Sequence, residues 1–182
     1  GPFYRLLGSG GRFGVNITYE VQEVARGIAD ALLIGCGLGR ADEVTEVVCT
    51  LLCEAACPIV LDADGINALS GHMDALSRRR DRITVLTPHE GEVVRAGGDL
   101  SPGRERAAAD FAREHGVYLV LKGPGTIVAA PDGRCMRNPT GNCGMAKGGS
   151  GDVLAGMLVS LLGLGLPPMD VCCAAVWLHG RA

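Results

Sequence analysis

The chain has 182 residues, of which 47% are apolar and only 4% aromatic, so its core has to be built from Leu, Val, Ile and Ala. A net charge of −3 gives no electrostatic ground for binding nucleic acid or an anionic membrane. No apolar run is long enough to span a bilayer and nothing resembles a secretory signal, so the eight cysteines are expected to be reduced and the protein to be cytoplasmic.

Apolar runs alternate with helical patterns along the chain, which predicts one layered α/β domain over residues 1–182 around a mainly parallel sheet. Residues 1–14 show no periodicity and hold the cluster Gly8-Ser-Gly-Gly-Arg-Phe-Gly14. Helices are expected at residues 20–29, 42–56, 91–96, 103–115, 152–162 and 169–180, and strands at 31–34, 59–61, 83–86, 117–121, 126–129 and 135–137. Cys49, Cys53 and Cys57 share one helical face and read as small core residues, not metal ligands; Cys172 and Cys173 read as packing in an Ala-rich helix. The only lysines, Lys122 and Lys147, lie in glycine-rich loops.

Four strand ends carry polar or glycine-rich turns, and ligands of open α/β sheets bind beyond the carboxyl ends of strands. Gly35-Cys-Gly-Leu-Gly39 lacks the full dinucleotide fingerprint, whose third glycine would fall on Arg40, and a tight strand-to-helix turn explains it equally well. In Asp62-Ala-Asp-Gly-Ile-Asn67, the two acids suit a metal or a ribose, or else cap a helix over 65–69, and Asn67 is a further polar candidate. In Thr87-Pro-His-Glu-Gly-Glu92, Pro88 stiffens the turn, and His89 can bond a polar ligand or simply lie on the surface. Glu92 can serve a buried polar group or a hydrated Mg²⁺, or complement a helix dipole. In Lys122-Gly-Pro-Gly-Thr126, Lys122 suits phosphate as a point charge, and the turn can admit a ligand or be a plain hairpin.

The densest signal runs from Asn138 to Asp152, a glycine-rich loop that enters an apolar helix. Its glycines let backbone N–H groups converge where the helix adds its positive end, so Gly149, Ser150 and Gly151 form an expected anion hole. Asp152 places a carboxylate beside the bound anion. Repulsion makes it a poor phosphate ligand, and the natural role is a base that takes a proton from a substrate hydroxyl during phosphoryl transfer. Asn138, Asn142 and Lys147 are additional candidates in this loop.

The motifs Gly-x-Gly-Leu-Gly, Asp-Ala-Asp-x-x-Asn, Thr-Pro-His-x-Gly-Glu, Lys-Gly-x-x-Thr, Asn-x-Thr-Gly-Asn-x-Gly-Met-Ala and Gly-Gly-Ser-Gly-Asp-Val-Leu-Ala-Gly follow one another, and then Leu178-His-Gly180. In this order they resemble the ADP- or ATP-dependent NAD(P)H-hydrate dehydratases of the ribokinase-like superfamily, over residues 31–182. The resemblance implies a ribokinase-like layered α/β/α fold and a repair reaction. The 6S-hydrate of NADH or NADPH is dehydrated at the expense of ADP or ATP, releasing AMP or ADP with phosphate. It implies Asp152 as the base and Lys122, Gly123, Pro124, Gly125, Thr126 and Gly151 as the nucleotide site. It puts Gly39, His89 and Asp152 on the hydrate, with Gly39 the expected neighbour of His89. Mg²⁺, with ligands unknown, a homo-oligomer such as a tetramer, and an NAD(P)H-hydrate epimerase as fused domain or partner are implied as well.

The chain departs from that pattern at Cys36 and Glu90, where the family has proline, and at Lys147, where it often has threonine. A preceding strand–helix–strand segment with a Gly-Gly-Ser loop is expected to be missing. A small-molecule kinase of the thiazole or pyrimidine alcohol type shares the glycine loop and aspartate, and a non-catalytic nucleotide-binding protein shares the fold. The runs Thr87–Glu92 and 138–146 favour the dehydratase.

Overall fold

The computed structural model describes residues 31–39 and 41–182; the expected helix at 20–29, the glycine cluster at 8–14 and Arg40 lie outside them. The strands are β1 (Leu32–Ile34), β2 (Ile59–Leu61), β3 (Thr84–Leu86), β4 (Tyr118–Leu121), β5 (Ile127–Ala129) and β6 (Cys135–Arg137). The helices are α1 (Asp42–Glu54), α2 (Asp64–Asn67), α3 (Asp74–Ser77), α4 (Glu90–Arg95), α5 (Arg104–His115), α6 (Ser150–Leu162) and α7 (Pro168–His179). One sheet carries the strands in the order β1-β2-β3-β4-β5-β6. β1 to β4 pair in parallel, and β4-β5 and β5-β6 pair antiparallel.

The parallel strands are short apolar runs because both of their faces are covered. Ile34, Ile59, Leu61, Leu86, Leu119 and Leu121 meet α1 to α5 on one face. Val60, Val85, Val120 and Val128 alternate to the other face and pack on α6 and α7 through Leu154, Leu158, Cys172 and Val176. This is a three-layer α/β/α arrangement. Because the chain adds β1 to β4 in spatial order, it always advances in one direction across the sheet, and the helices between those strands gather on one side. The second side is left for the two C-terminal helices.

Pro168 opens α7 at a position where its missing N–H has no intrahelical partner to lose, and Gly116 ends α5 in a left-handed conformation. Buried Arg79 ends α1 from outside its own sequence. Its guanidinium donates to Leu52 O and Ala55 O at 3.1 and 3.0 Å, and also to Cys57 O, Ile83 O and Thr84 Oγ1. Cys172 is fully buried in the core, where burial pushes its thiol up to about 12. Cys49 and Cys57 are half-buried against the first core, in keeping with a packing role. Among the described residues, no helix is long and apolar enough to cross a membrane.

Candidate functional site

The parallel strands end at one edge, and their turns bring the candidates together there. Asp62 follows β2, Thr87 follows β3 and Lys122 follows β4. The buried Asp62 carboxylate joins the three, accepting from Thr87 Oγ1 at 2.8 Å and from Lys122 Nζ at 2.7 Å through the same oxygen, Oδ1. This differs from the expectation that Asp62 and Asp64 cap a helix. The N-cap of α2 is Ala63, with no side-chain cap, and Asp64 Oδ2 instead accepts the Gly39 N–H at 2.9 Å. Ala63 has φ +44° and ψ −115°, a strained backbone for a residue with a Cβ, held between the two aspartates.

The glycine-rich loop arrives above this triad. Gly149 is the N-cap of α6 at φ +85°, a left-handed conformation that favours glycine; the Ser150 N–H donates to Lys147 O at 3.3 Å, and the N–H groups of Gly151 and Asp152 have no intrahelical partner to reach. Gly151 stands over the ion pair: a Cβ built there would lie 3.5 Å from Lys122 Nζ and 3.6 Å from Asp62 Oδ2. The loop is strapped to the end of α7. Asn138 Nδ2 donates to Thr140 O, Thr140 Oγ1 and Val176 O, and Thr140 Oγ1 donates to Trp177 O at 3.0 Å. Asn138 is therefore a buried latch and Asn142 a cap, its Oδ1 accepting the Gly144 N–H of the short 3-10 turn Cys143–Met145.

A cavity of about 810 Å³ opens between this loop and the β4–β5 hairpin. His89, Lys122–Thr126, Asn138, Asn142, Lys147, Ser150, Gly151 and His179 all border it. Arg104 holds the hairpin in place, donating to Pro124 O at 2.6 Å while pairing with Glu90 at 2.9 Å. Thr126 Oγ1 closes the turn onto Gly123 O.

His89 is the N-cap of α4. Its Nδ1 accepts the Glu92 N–H at 3.2 Å, and the buried Glu92 carboxylate accepts the His89 N–H at 2.8 Å, a capping box. That settles Glu92 as a cap. With Nδ1 an acceptor, the neutral imidazole carries its proton on Nε2. His89 also forms a parallel bridge with Lys122, which places it beside the hairpin.

Gly39 is held by Asp64 in the turn beyond β1, whereas His89 follows β3, two strands along the sheet. Asn67 does not border the cavity, and its Oδ1 accepts from Arg95 Nε at 3.1 Å.

Asp152, exposed in the first turn of α6, does not border the cavity. Its carboxylate lies on the β1–β2 side of the glycine turn, within 4.8 Å of Cys36 Sγ and an Asp62 oxygen. Burial first, then the hydrogen bond to Asp152 and the charges of both aspartates, push the Cys36 thiol up to about 11. Asp62 thus joins two groups at the α6 N-terminus: the cavity, bordered by both lysines and the hairpin, and the cluster of Cys36 and Asp152. The sequence patterns did not reveal two of these contacts: Asp62 with Lys122 and Arg104 with the hairpin. The one available signal for the first was an acid and a lone lysine closing two strands at the same edge of the sheet, with β3 between them.

The family model for NAD(P)H-hydrate dehydratase matches residues 14–182. A bifunctional NAD(P)H-hydrate repair enzyme Nnr of Salinibacter ruber is 42% identical over 85% of this chain and 29% of its own length. An ADP-dependent (S)-NAD(P)H-hydrate dehydratase of Neisseria meningitidis serogroup B is 38% identical over 84% of this chain and 54% of its own. Among solved structures, the ADP/ATP-dependent NAD(P)H-hydrate dehydratase of Bacillus subtilis, co-crystallised with ATP/Mg²⁺, superimposes with a TM-score of 0.73 at 39% identity. That match covers 83% of this chain and 55% of the other. A hydroxyethylthiazole kinase of Pyrococcus horikoshii, at 21% identity and a TM-score of 0.63, shares the ribokinase-like fold alone. The chain spans about half the length of the single-activity relatives and under a third of the bifunctional one. With its motifs in the family's order along one sheet edge, and the family model running through all but its first residues, the chain belongs to the NAD(P)H-hydrate dehydratase family.

Proposed function

We propose that the protein, as one domain, dehydrates the 6S-hydrate of NADH or NADPH at the expense of ADP or ATP. The observation that carries this reading is the placement of Asp152. It is a carboxylate in the first turn of α6, beside Asp62 and Cys36, at the same helix end where Ser150 and Gly151 border a cavity of about 810 Å³. ADP or ATP lies in the cavity between Lys122–Thr126 and residues 147–151, its transferred phosphoryl group at Gly149, Ser150 and Gly151. The hydrate lies beside Gly39 and Asp152. His89, which borders the cavity and bridges to Lys122 through its backbone, reaches it from there.

Hydroxide leaves poorly, and phosphate leaves well. Asp152 takes the proton of the ring hydroxyl while its oxygen attacks the phosphoryl group held by the α6 amides. The C–O bond then breaks with its electron pair on phosphate, driven by the ring nitrogen lone pair. Loss of a proton from the adjacent ring carbon restores the dihydropyridine.

Mg²⁺ is a hard cation that takes oxygen ligands, so Asp62 Oδ2 and Asp152 fit it together with nucleotide phosphates, whereas the Cys36 thiol does not. When bound, it neutralises charge on the phosphates. A homo-oligomer and an epimerase partner belong to the same reading, the latter supported by the bifunctional relatives.

The test is an absorbance assay for restored NADH with hydrated NADH plus ADP or ATP. A small-molecule kinase would not restore it, and a binding protein would consume no nucleotide. Asp152→Asn should keep the fold and lose on the order of 10²- to 10⁴-fold in turnover; near-wild-type turnover would remove Asp152 as the base.

A further inference from the structure

α6 and α7 form an antiparallel hairpin in which the first residue of α6 meets the last residue of α7. Ser150 Oγ lies 3.3 Å from His179 Nε2, and both side chains border the cavity. The contact joins two elements of opposite polarity. The N-terminus of α6 attracts an anion, while the C-terminus of α7 carries the negative end of its helix dipole and repels one. His179 is the side chain placed between them. The strap at Asn138 and Thr140 ties the loop to Val176 and Trp177, one turn before His179, so this alignment is built into the fold.

A serine hydroxyl has one proton and two lone pairs. If it donates to an unprotonated Nε2, it offers the phosphate only lone pairs, which repel it. If Nε2 carries the proton and donates to Oγ, the hydroxyl proton is free to point at the phosphate. We infer that His179 is a positioning residue of the anion hole: its Nε2–H donates to Ser150 Oγ and so turns the Ser150 hydroxyl into a donor to the phosphoryl oxygens of the bound nucleotide.

The inference rests on the reading of the cavity as a nucleotide site. Its test is therefore binding, which needs no turnover. Calorimetry with ADP, and with tripolyphosphate as a probe lacking base and sugar, is run on His179→Gln, His179→Asn, Ser150→Ala and the pair Ser150→Ala/His179→Asn. Glutamine carries an N–H donor where Nε2 stood, and asparagine carries one only where Nδ1 stood.

The expected result is that Ser150→Ala and His179→Asn each weaken both ligands roughly tenfold, the worth of one hydrogen bond to a charged group. His179→Gln should stay within about threefold of wild type, and the double variant should be no weaker than Ser150→Ala alone. A His179→Gln affinity as low as that of His179→Asn would overturn the inference, as would additive losses in the double variant. It would equally fall if the unsubstituted protein bound neither ligand. Normal ADP binding without restoration of NADH would sink the proposed dehydration and leave the role of His179 standing.

Discussion

Replacing Lys122 by methionine tests the centre of the site. The Lys122 side chain is 23% exposed and its partner, Asp62, only 2%. Methionine fills much of the same volume but leaves the Asp62 carboxylate with the Thr87 hydroxyl alone. Stripping one partner from a buried ion pair costs about 3–5 kcal/mol. The Thr87 bond survives and water can enter from the exposed end of the side chain, so about 2–3 kcal/mol is expected here. Adding Asp62→Asn removes the stranded charge, and the double variant should recover about 1 kcal/mol of that loss. Urea unfolding followed by circular dichroism measures all three proteins, with an unchanged slope as the check that one transition is compared. A Lys122→Met protein within about 0.5 kcal/mol of wild type would refute the buried pair, being no more than an ordinary surface substitution. So would a double variant less stable than Lys122→Met. Since Asp62 already engages the ammonium, ADP binding should weaken by only about 1.5 kcal/mol, the lower end for a charge-assisted hydrogen bond.

His89→Ala should raise the KM for the hydrate several-fold and leave that for ADP nearly unchanged; a rise confined to ADP would move His89 wholly to the nucleotide side. Gly180→Ala puts a Cβ 2.9 Å from Gly141 N, against Thr140, so it should loosen the strap and cost about 1–3 kcal/mol in urea unfolding; wild-type stability would show that the strap has room. Cys36, held near 11 by burial and by Asp152, should alkylate slowly with iodoacetamide at pH 8. Asp152→Asn removes a hydrogen bond and a charge that raise it, so the thiolate fraction and the alkylation rate of the Cys36 peptide, read by mass spectrometry, should increase; an unchanged rate would separate the two side chains.

The alternation of apolar and polar residues was enough to place β1 to β6 and α1, α4, α5, α6 and α7 to within about two residues, because each is a run with its own period and its own stop signal. Patterns of that kind are local. They carry no information on which strand end faces which, so they could not say that β2 lies between the strands that lead to Gly39 and His89. Asp62 and Lys122 lie 60 positions apart, and only the strand order makes them a pair. Arg79 reads as one of three consecutive surface arginines, yet its guanidinium is buried against the carbonyls of α1 and its neighbours. The short helices α2 and α3 were missed or blurred because four residues are too few to show a period. The glycine loop was legible for the opposite reason: its chemistry depends on backbone shape, and glycine positions record that shape directly.

The neutralised lysine under Gly151 bears on how the site would respond to ionic strength. Lys122 and Asp62 cancel, so the ion pair beneath the proposed anion hole carries no net formal charge. A phosphate held there is held by amide dipoles and a helix end, whose fields die away within the first turn. Salt acts chiefly on attraction between net charges over distances near the Debye length, about 8 Å at physiological ionic strength. Once inside, the phosphate is beyond the reach of most of that screening, and Lys147, exposed on the loop, is the one lysine left to draw anions from afar. Capture by contact and not by long-range pull means that a bulky polyanion unable to enter the cavity gains little by approaching it.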